Sequence, residues 1–410
     1  MKQLHNNVRY FEVDGISMLG NFHNGAIIGL DSSGKEYIQC RRHSNDPIDE
    51  KAHEIEAALD NLGFLDDLGN KNMLDSAYLH VTDQCNLHCV GCYSYVDGRN
   101  CRTDLPIDKL FYILDQLRNA GTRRIIISGG EPFLRHDLKD ICRYAREVCN
   151  VDFLAVITNG CINKDCYLPV LPYINELNIS VDGYSESTRF IRDNGIMPTV
   201  LETIRHLKSL VPINLIFTLH RKNMNDMPKY TELAKSLNVS HSYSMLTVSP
   251  DNPLFHEFLF SEDDLAVMAD NILNKNGVAD FHDVPISQVG LSCRDRCEAG
   301  CKLVSIAANG DVYPCHMLHT PELKLGNLAD MKSLLKEIVF SSENPFLGLD
   351  CSMISECNEC SYKDLCGAGC RSRSYLYHHD LLSPDSYCRF IKTYYMNVIK
   401  GIKVKLCRES

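Results

Sequence analysis

The run Ala77-Tyr78-Leu79-His80-Val81-Thr82-Asp83-Gln84-Cys85-Asn86-Leu87-His88-Cys89-Val90-Gly91-Cys92 sets three closely spaced cysteines directly behind an apolar stretch. It reads as a strand that delivers a metal-binding loop. Three thiolates fill three corners of a four-iron, four-sulfur cube and leave its fourth iron open to a ligand from outside the protein. A structural zinc site takes four protein ligands, so the trio alone would leave a zinc knuckle incomplete.

Short apolar runs separated by helical patterns continue from here to about Asn276. The runs are 77–82, 124–128, 153–158, 176–181, 213–219 and a weaker 240–246, with a clear helical period over 107–120. Strand–helix alternation predicts a parallel sheet, and six units predict an α/β fold, a partial (β/α)6 TIM barrel. Ligands of such barrels gather at the carboxyl ends of the strands. The cysteine loop follows the first strand and Gly129-Gly130-Glu131-Pro132 the second, with adjacent glycines that let a ligand approach the backbone. Thr158-Asn159-Gly160 follows the third strand, and Ser180-Val181-Asp182-Gly183 closes the fourth. Alone, the last two are ordinary turn chemistry; their shared face makes them candidates for a site.

With the cysteine loop and the G-G-E-P turn together, the chain resembles the radical S-adenosylmethionine (SAM) superfamily. The resemblance implies that Cys85, Cys89 and Cys92 hold a [4Fe-4S] cluster. It also implies that Gly129, Gly130, Glu131 and Pro132 meet the SAM amino group. The amino nitrogen and carboxylate would chelate the open iron, and an electron from the cluster would cleave the sulfonium to a 5'-deoxyadenosyl radical. In such an enzyme the cofactor carries the hard chemistry and the protein positions it. By the same resemblance Asn159, Ser180 and Asp182 are candidates for polar contacts to the SAM ribose and carboxylate, and Arg192, within 189–195, for the carboxylate. One position departs from the family: the residue before the third cysteine, often aromatic and set against the adenine, is Gly91 here, with Tyr93 two residues on.

Beyond Pro285 the composition shifts. Cys293, Cys297, Cys301, Gly310-Asp311 and Cys315 are followed by Cys357, Cys360, Cys366, Cys370 and Cys388. The spacings C-x2-C-x5-C-x3-C and G-x4-C resemble the SPASM extension of radical SAM enzymes. A hairpin is predicted over 306–314 with Asn309-Gly310 at its turn, returning Cys315 toward Cys297 and Cys301. The resemblance implies two auxiliary [4Fe-4S] clusters, three in all. Cys297, Cys301, Cys315 and Cys370 would hold the first, and Cys357, Cys360, Cys366 and Cys388 the second. If Cys301 points elsewhere, the first keeps an open iron for a substrate thiol. Zinc is the other reading of these eight cysteines. Cys40, Cys101, Cys142, Cys149, Cys161, Cys166, Cys293, Cys351 and Cys407 stay unassigned, most of them as small core hydrophobes; Cys101 and Cys161 are candidates to face a substrate cavity.

At 410 residues and 44% apolar content the chain is long enough for two or three domains and too apolar to be disordered. Twenty cysteines without a charged-then-apolar leader predict reduced, partly metal-bound thiols in the cytoplasm, and no apolar run approaches a membrane span. A formal net charge of −11 with no basic block argues against nucleic acid as a partner.

The first 75 residues have their own pattern. Strands are predicted at 8–13, 17–21, 25–30 and 37–42, with Asn24-Gly25 and Ser33-Gly34 as turns, then a helix over 48–62 ending in Gly63-Phe64-Leu65. Strands, then helix, then G-F-L resemble the small winged-helix-type domains that recognise leader peptides of ribosomally made, modified peptides. Such a domain binds its leader by adding a strand to a sheet edge; a plain β-α extension is the other reading. Seven lysines and arginines against thirteen aspartates and glutamates in this segment disfavour DNA.

The expected division is 1–75 leader recognition, 76–285 radical SAM barrel and 286–410 SPASM domain. The expected function is an oxidoreductase, a maturase that uses the adenosyl radical on a precursor peptide to form a cysteine-to-carbon thioether. Carbon–carbon crosslinking, sulfatase maturation (formylglycine formation) and haem or cofactor biosynthesis are the alternatives. A small flavin or iron-sulfur protein is the expected electron donor.

Overall fold

The computed structural model describes residues 3–40, 50–65, 72–185, 191–272, 280–282 and 290–409. Six strands form the centre: β4 (Ser76–His80), β5 (Arg124–Ser128), β6 (Phe153–Thr158), β7 (Glu176–Ser180), β8 (Ile213–Leu219) and β9 (Ser240–Met245). All six pair in parallel with their sequence neighbours, as the alternation predicts. Each predicted run overshoots by no more than two residues, because Val181 and Leu246 keep ladder bonds to Ile216 and Leu219 after strand geometry has ended.

Parallel strands need crossovers, and the helices supply them on the outer face. Helix α3 (Ile107–Asn119) buries Leu110, Ile113, Leu114 and Leu117, a 3.6-residue stripe, against the sheet. Helices α4 (Leu138–Arg143), α5 (Met197–Leu207) and α6 (Met227–Leu237) follow β6's two neighbours and β8 in the same manner. Their apolar faces join Leu79, Ile125, Val156, Ile179, Leu215 and Phe217 in one core cluster. Truncating a fully buried leucine such as Leu79 to alanine costs roughly 2–5 kcal/mol.

The sheet runs past the six units at both ends. Strand β10 (Asp280–Phe281) adds in parallel to β9, and β11 (Leu303–Ile306) adds in parallel to β4. Strands β12 (Asp311–Tyr313) and β13 (Gly326–Asn327) then continue antiparallel, so the sheet has ten strands. The predicted hairpin is present: Gly310 takes φ 84°, and Pro314 O accepts from Gly300 N at 2.9 Å, which returns Cys315 to the Cys297–Cys301 turn. The expected boundary at 285–286 lies outside the described residues.

At the amino end, β1 (Val8–Val13), β2 (Ile16–Asn21) and β3 (Ile27–Leu30) form an antiparallel sheet. The fourth predicted strand, 37–42, is a correction: Ser32–Cys40 is helix α1, and residues 41–42 lie outside the described ones. Asp31 caps that helix, its Oδ1 accepting from Gly34 N at 2.7 Å, so Ser33-Gly34 is a first helical turn. Helix α2 (Glu50–Asn61) matches the predicted one, whose first two positions are not described. Phe64 is fully buried in a small core with Leu19, Ile38 and Leu59. Phe11, Val13 and Met18 belong instead to the main core, and Arg9 meets Asp295 at 2.7 Å, tying the sheet to the chain leading into Cys297. Helices α7 (Glu262–Asn271), α8 (Leu335–Val339), α9 (Ser355–Asn358), α10 (Lys363–Cys366), α11 (Arg371–His378) and α12 (Cys388–Glu409) complete the chain. No described helix is long and apolar enough to cross a membrane.

Candidate active site

The loop after β4 is fixed by the turn after β5. Gly130 N donates to Thr82 O at 2.8 Å and Glu131 N to Gln84 O at 2.7 Å. A Cβ on Gly129 would stand 2.3 Å from Thr82 O, and one on Gly130 2.1 Å from Gln84 O. The glycine pair therefore admits a crossing of backbone on backbone, and that crossing aims Cys85 inward.

Glu131 follows this crossing and is fully buried. Its carboxylate accepts from Phe133 N at 3.1 Å, Thr158 Oγ1 at 2.9 Å and Asn159 N at 2.8 Å. Burial pushes its pKa up to about 7, against three donors that favour the charged form. It locks the β5 turn to the β6 turn, while Pro132 starts the 3-10 turn Pro132–Leu134 beneath it.

Above these turns lies a cavity of about 290 Å³ whose lining brings together Cys85, Cys89, Cys92, Gly129, Gly130, Asn159, Ser180 and Arg192. Glu131, Pro132 and Asp182 stand behind that lining. Each thiol of the trio faces its own nitrogen donor: Arg192 Nη1 at 3.6 Å from Cys89 Sγ, Arg99 Nη1 at 3.9 Å from Cys92 Sγ, and Asn159 Nδ2 at 4.0 Å from Cys85 Sγ. Arg192 is paired with Asp182, whose Oδ1 also accepts from Thr218 N at 3.1 Å. Burial raises the Cys85 pKa and pushes Cys89 up to about 11.

Arg99 is buried, and its Nη2 has no hydrogen-bond partner among the described residues. Two guanidiniums and an amide aimed at the three thiols fit an anionic iron-sulfur cluster held by Cys85, Cys89 and Cys92. A Cβ on Gly91, at φ 71°, would stand 3.2 Å from Leu246 and 3.4 Å from Val248, and Tyr93 lines the cavity with its hydroxyl 2.6 Å from Ser128 Oγ. Cys101 and Cys161 are outside the lining.

The C-terminal cysteines gather as two neighbouring groups. Cys366 feels the charges of Cys388, Cys357 and Cys360, and Cys388 those of Cys357 and Cys360. Cys297 is felt by both Cys370 and Cys301. Cys301 turns back on its own turn, with Sγ 3.2 Å from Glu298 O and 3.6 Å from Cys297 O.

Asp385 joins the groups. It accepts from Cys370 N at 2.7 Å and from Arg373 Nε and Nη2 at 2.7 Å, while its carbonyl accepts from Cys388 N at 2.8 Å. Arg371 is fully buried; its guanidinium meets the carbonyls of Leu381, Ser383 and Ala368, its Nε has no partner, and its charge lowers the Cys357 pKa against burial. A buried cation held only by carbonyls fits a second anionic centre at Cys357. Among the described residues, no three His, Cys, Asp or Glu side chains close round a point as ligands of one metal ion would. The 18 cysteines whose side chains are described are free thiols.

Sequence reasoning missed a layer of rings between the two regions. His316 stacks on Tyr78 at 3.8 Å and meets Tyr93 edge-on at 5.3 Å, and His319 lies 4.7 Å from His80. These residues sit on β4, the cysteine loop and the segment after β12, and only the β4–β11 pairing, invisible in local pattern, brings them together.

Residues 79–234 match the family model of the radical SAM superfamily, and residues 297–361 that of an iron-sulfur cluster-binding domain, SPASM. The chain carries a radical SAM domain and a SPASM domain. This radical SAM/SPASM chain is 25% identical over 337 residues to an uncharacterized protein of Archaeoglobus fulgidus, covering 77% of this chain and 79% of that one. It is 26% identical over 336 residues to the AdoMet-dependent heme synthase of Methanosarcina barkeri, covering 75% and 94%.

Among solved structures, anSMEcpe with bound AdoMet matches at TM-score 0.66 and 17% identity, over 82% of this chain and 96% of that one. SuiB of Streptococcus suis bound to precursor peptide SuiA matches at TM-score 0.60 and 16% identity, over 95% and 100%. At these identities the likeness shows a shared fold.

Proposed function

We infer that this chain is a radical SAM/SPASM maturase that modifies a ribosomally made precursor peptide, most simply by joining a cysteine sulfur to a carbon of the same peptide. The observation that carries this reading is the convergence of Cys85, Cys89 and Cys92, each facing a nitrogen donor, with Arg192, Ser180 and Asn159 on one cavity. The likeness to peptide-bound SuiB, over 95% of this chain, supports a peptide as the substrate. In this reading residues 1–75 hold the leader at a sheet edge, 76–285 form the barrel and 286–410 the SPASM domain.

When bound, the three clusters would supply the electron that opens SAM to an adenosyl radical and take up the electron the substrate releases. The protein's own part is positional. Arg192, steadied by Asp182, offers its guanidinium to a carboxylate, and Asn159 and Ser180 offer hydrogen bonds to hydroxyl groups. Cys301 is directed at its own turn, which leaves Cys297, Cys315 and Cys370 to hold the first auxiliary site with room for a substrate thiolate. Thioether formation removes two hydrogens from the peptide: one leaves carbon as an atom, the other leaves sulfur as a proton with one electron passed on. A reducing electron-transfer protein would supply the starting electron.

Coexpression with a short, cysteine-containing reading frame, where one is found beside its own gene, followed by intact mass, tests the reading. A loss of about two mass units per link is expected from this chemistry. An unchanged mass would favour the second reading, action on a haem precursor, which the heme synthase relative supports. A link without a modified cysteine would point to carbon–carbon crosslinking, and formylglycine in a coexpressed sulfatase to sulfatase maturation.

A further inference from the structure

The barrel interior holds a hydrogen-bonded belt that none of the chemistry above uses. Glu176 and Asn178 on β7, Asn214 on β8 and Ser242 on β9 face inward by the two-residue alternation of strands. Asn178 Nδ2 donates to Glu176 Oε1 at 3.1 Å. Asn214 Nδ2 donates to Asn178 Oδ1 at 2.8 Å and to Ser242 Oγ at 2.8 Å. Ser242 Oγ then lies 2.7 Å from His282 Nε2, just past β10. Asn178, Asn214 and Ser242 are buried.

The belt has a direction. A carboxylate only accepts, so Glu176 turns the Asn178 amide nitrogen toward itself and the Asn178 carbonyl toward Asn214. Asn214 must then present its nitrogen to both Asn178 and Ser242. Ser242 Oγ receives that N–H and keeps its own proton to offer to His282 Nε2. An imidazole that accepts at Nε2 carries its proton on Nδ1. His282 lines the same cavity as the three cysteines.

The geometry points to His282 as a substrate-binding residue: a neutral imidazole, fixed at Nε2 by the Ser242 belt, that offers Nδ1–H to a carbonyl oxygen of the peptide in the cavity. This rests on the reading of the chain as a peptide maturase. Desolvation lowers the His282 pKa and keeps the ring neutral, with Asp280 on its own strand opposing. Among the described residues, the other titratable groups facing it are His316, from the segment after β12, and, through the belt, Glu176 with Arg124 beside it. A neutral donor binds a carbonyl without burying a new charge.

Nitrogen-15 NMR of the cluster-loaded protein with labelled histidine tests this, the His282 signal being assigned by its loss in His282→Asn. The expected spectrum is the Nδ1–H tautomer, remaining neutral as pH falls through the ordinary histidine value of 6.5. Ser242→Ala should admit the Nε2–H tautomer. N-acetylcysteinamide, a peptide carbonyl probe, should shift the Nδ1–H proton downfield in the wild type. An Nε2–H tautomer in the wild type, ordinary titration, an unchanged tautomer in Ser242→Ala, or no shift with N-acetylcysteinamide would each overturn the assignment. None of these readouts needs turnover, so the expected spectra from a protein that leaves precursor peptides unmodified would refute the maturase reading alone.

Discussion

The Asp182 carboxylate grips Arg192 and leaves its Nη1 3.6 Å from the Cys89 sulfur. One residue at the end of β7 thereby sets the direction of a cation that faces both a cluster ligand and the cavity.

Asp182→Asn keeps the size of the side chain and the acceptor for Thr218 N but loses the charge that steadies Arg192. SAM binding to the reduced protein should weaken by about tenfold, the worth of one charge-assisted contact at roughly 1.4 kcal/mol. Titrating SAM against the electron paramagnetic resonance of the reduced cluster checks this; an unchanged affinity would remove Arg192 from the SAM site.

Glu131 gives a pH signature. Its carboxyl titrates near 4.5 when unperturbed, as in the unfolded chain, and at about 7 in the fold. The folded protein holds the proton more tightly, so this stabilising contribution is complete below pH 4.5 and is lost as pH rises through about 7. The loss is of order 3 kcal/mol at 1.36 kcal/mol per pKa unit. Urea midpoints across that window should fall for the wild type relative to Glu131→Gln, in which the slope disappears. Parallel pH curves would contradict it.

The barrel was legible because strands buried on both faces are written as short apolar runs, and helices such as α3 as a 3.6-residue stripe. The cysteine trio was legible from its spacing. Residues 37–42 misled because Tyr37 and Ile38 carry strand preference, while the Asp31 cap and the burial of Ile38 against the small sheet decide for helix. Glu131 and Asp182 were named from the turns that carry them, yet their place behind the cavity lining was not legible: turn chemistry names the residue and leaves the direction of its side chain to packing. His282, His316 and Arg371 carry no local signal, since long-range strand pairing and buried carbonyls give them their roles.

Asp385 and Arg373 are both buried and joined by two hydrogen bonds of 2.7 Å. Burial raises the Asp385 pKa, and Arg373 with two backbone amides more than reverses this, so the carboxylate is charged. Asp385→Ala strands a buried cation, a cost of roughly 3–5 kcal/mol, and frees the Cys370 N–H that the carboxylate holds. The melting temperature and the iron content should fall together. Full iron content in the variant would mean that Cys370 does not depend on the Asp385 carboxylate.

Cys301 and Cys297 should behave differently although they are four residues apart. Since Cys301 Sγ is turned to Glu298 O at 3.2 Å, Cys301→Ala should keep the iron content of the wild type. Cys297→Ala should lose about one cluster's worth, four irons. Equal losses in the two variants would make Cys301 a ligand.

The most direct test is release of 5'-deoxyadenosine by anaerobically reconstituted protein given SAM and a strong reductant, beside a variant with Cys85, Cys89 and Cys92 all changed to alanine. The wild type should release the nucleoside and the variant none, with both C-terminal centres still loaded. Equal nucleoside release from the two proteins would contradict this.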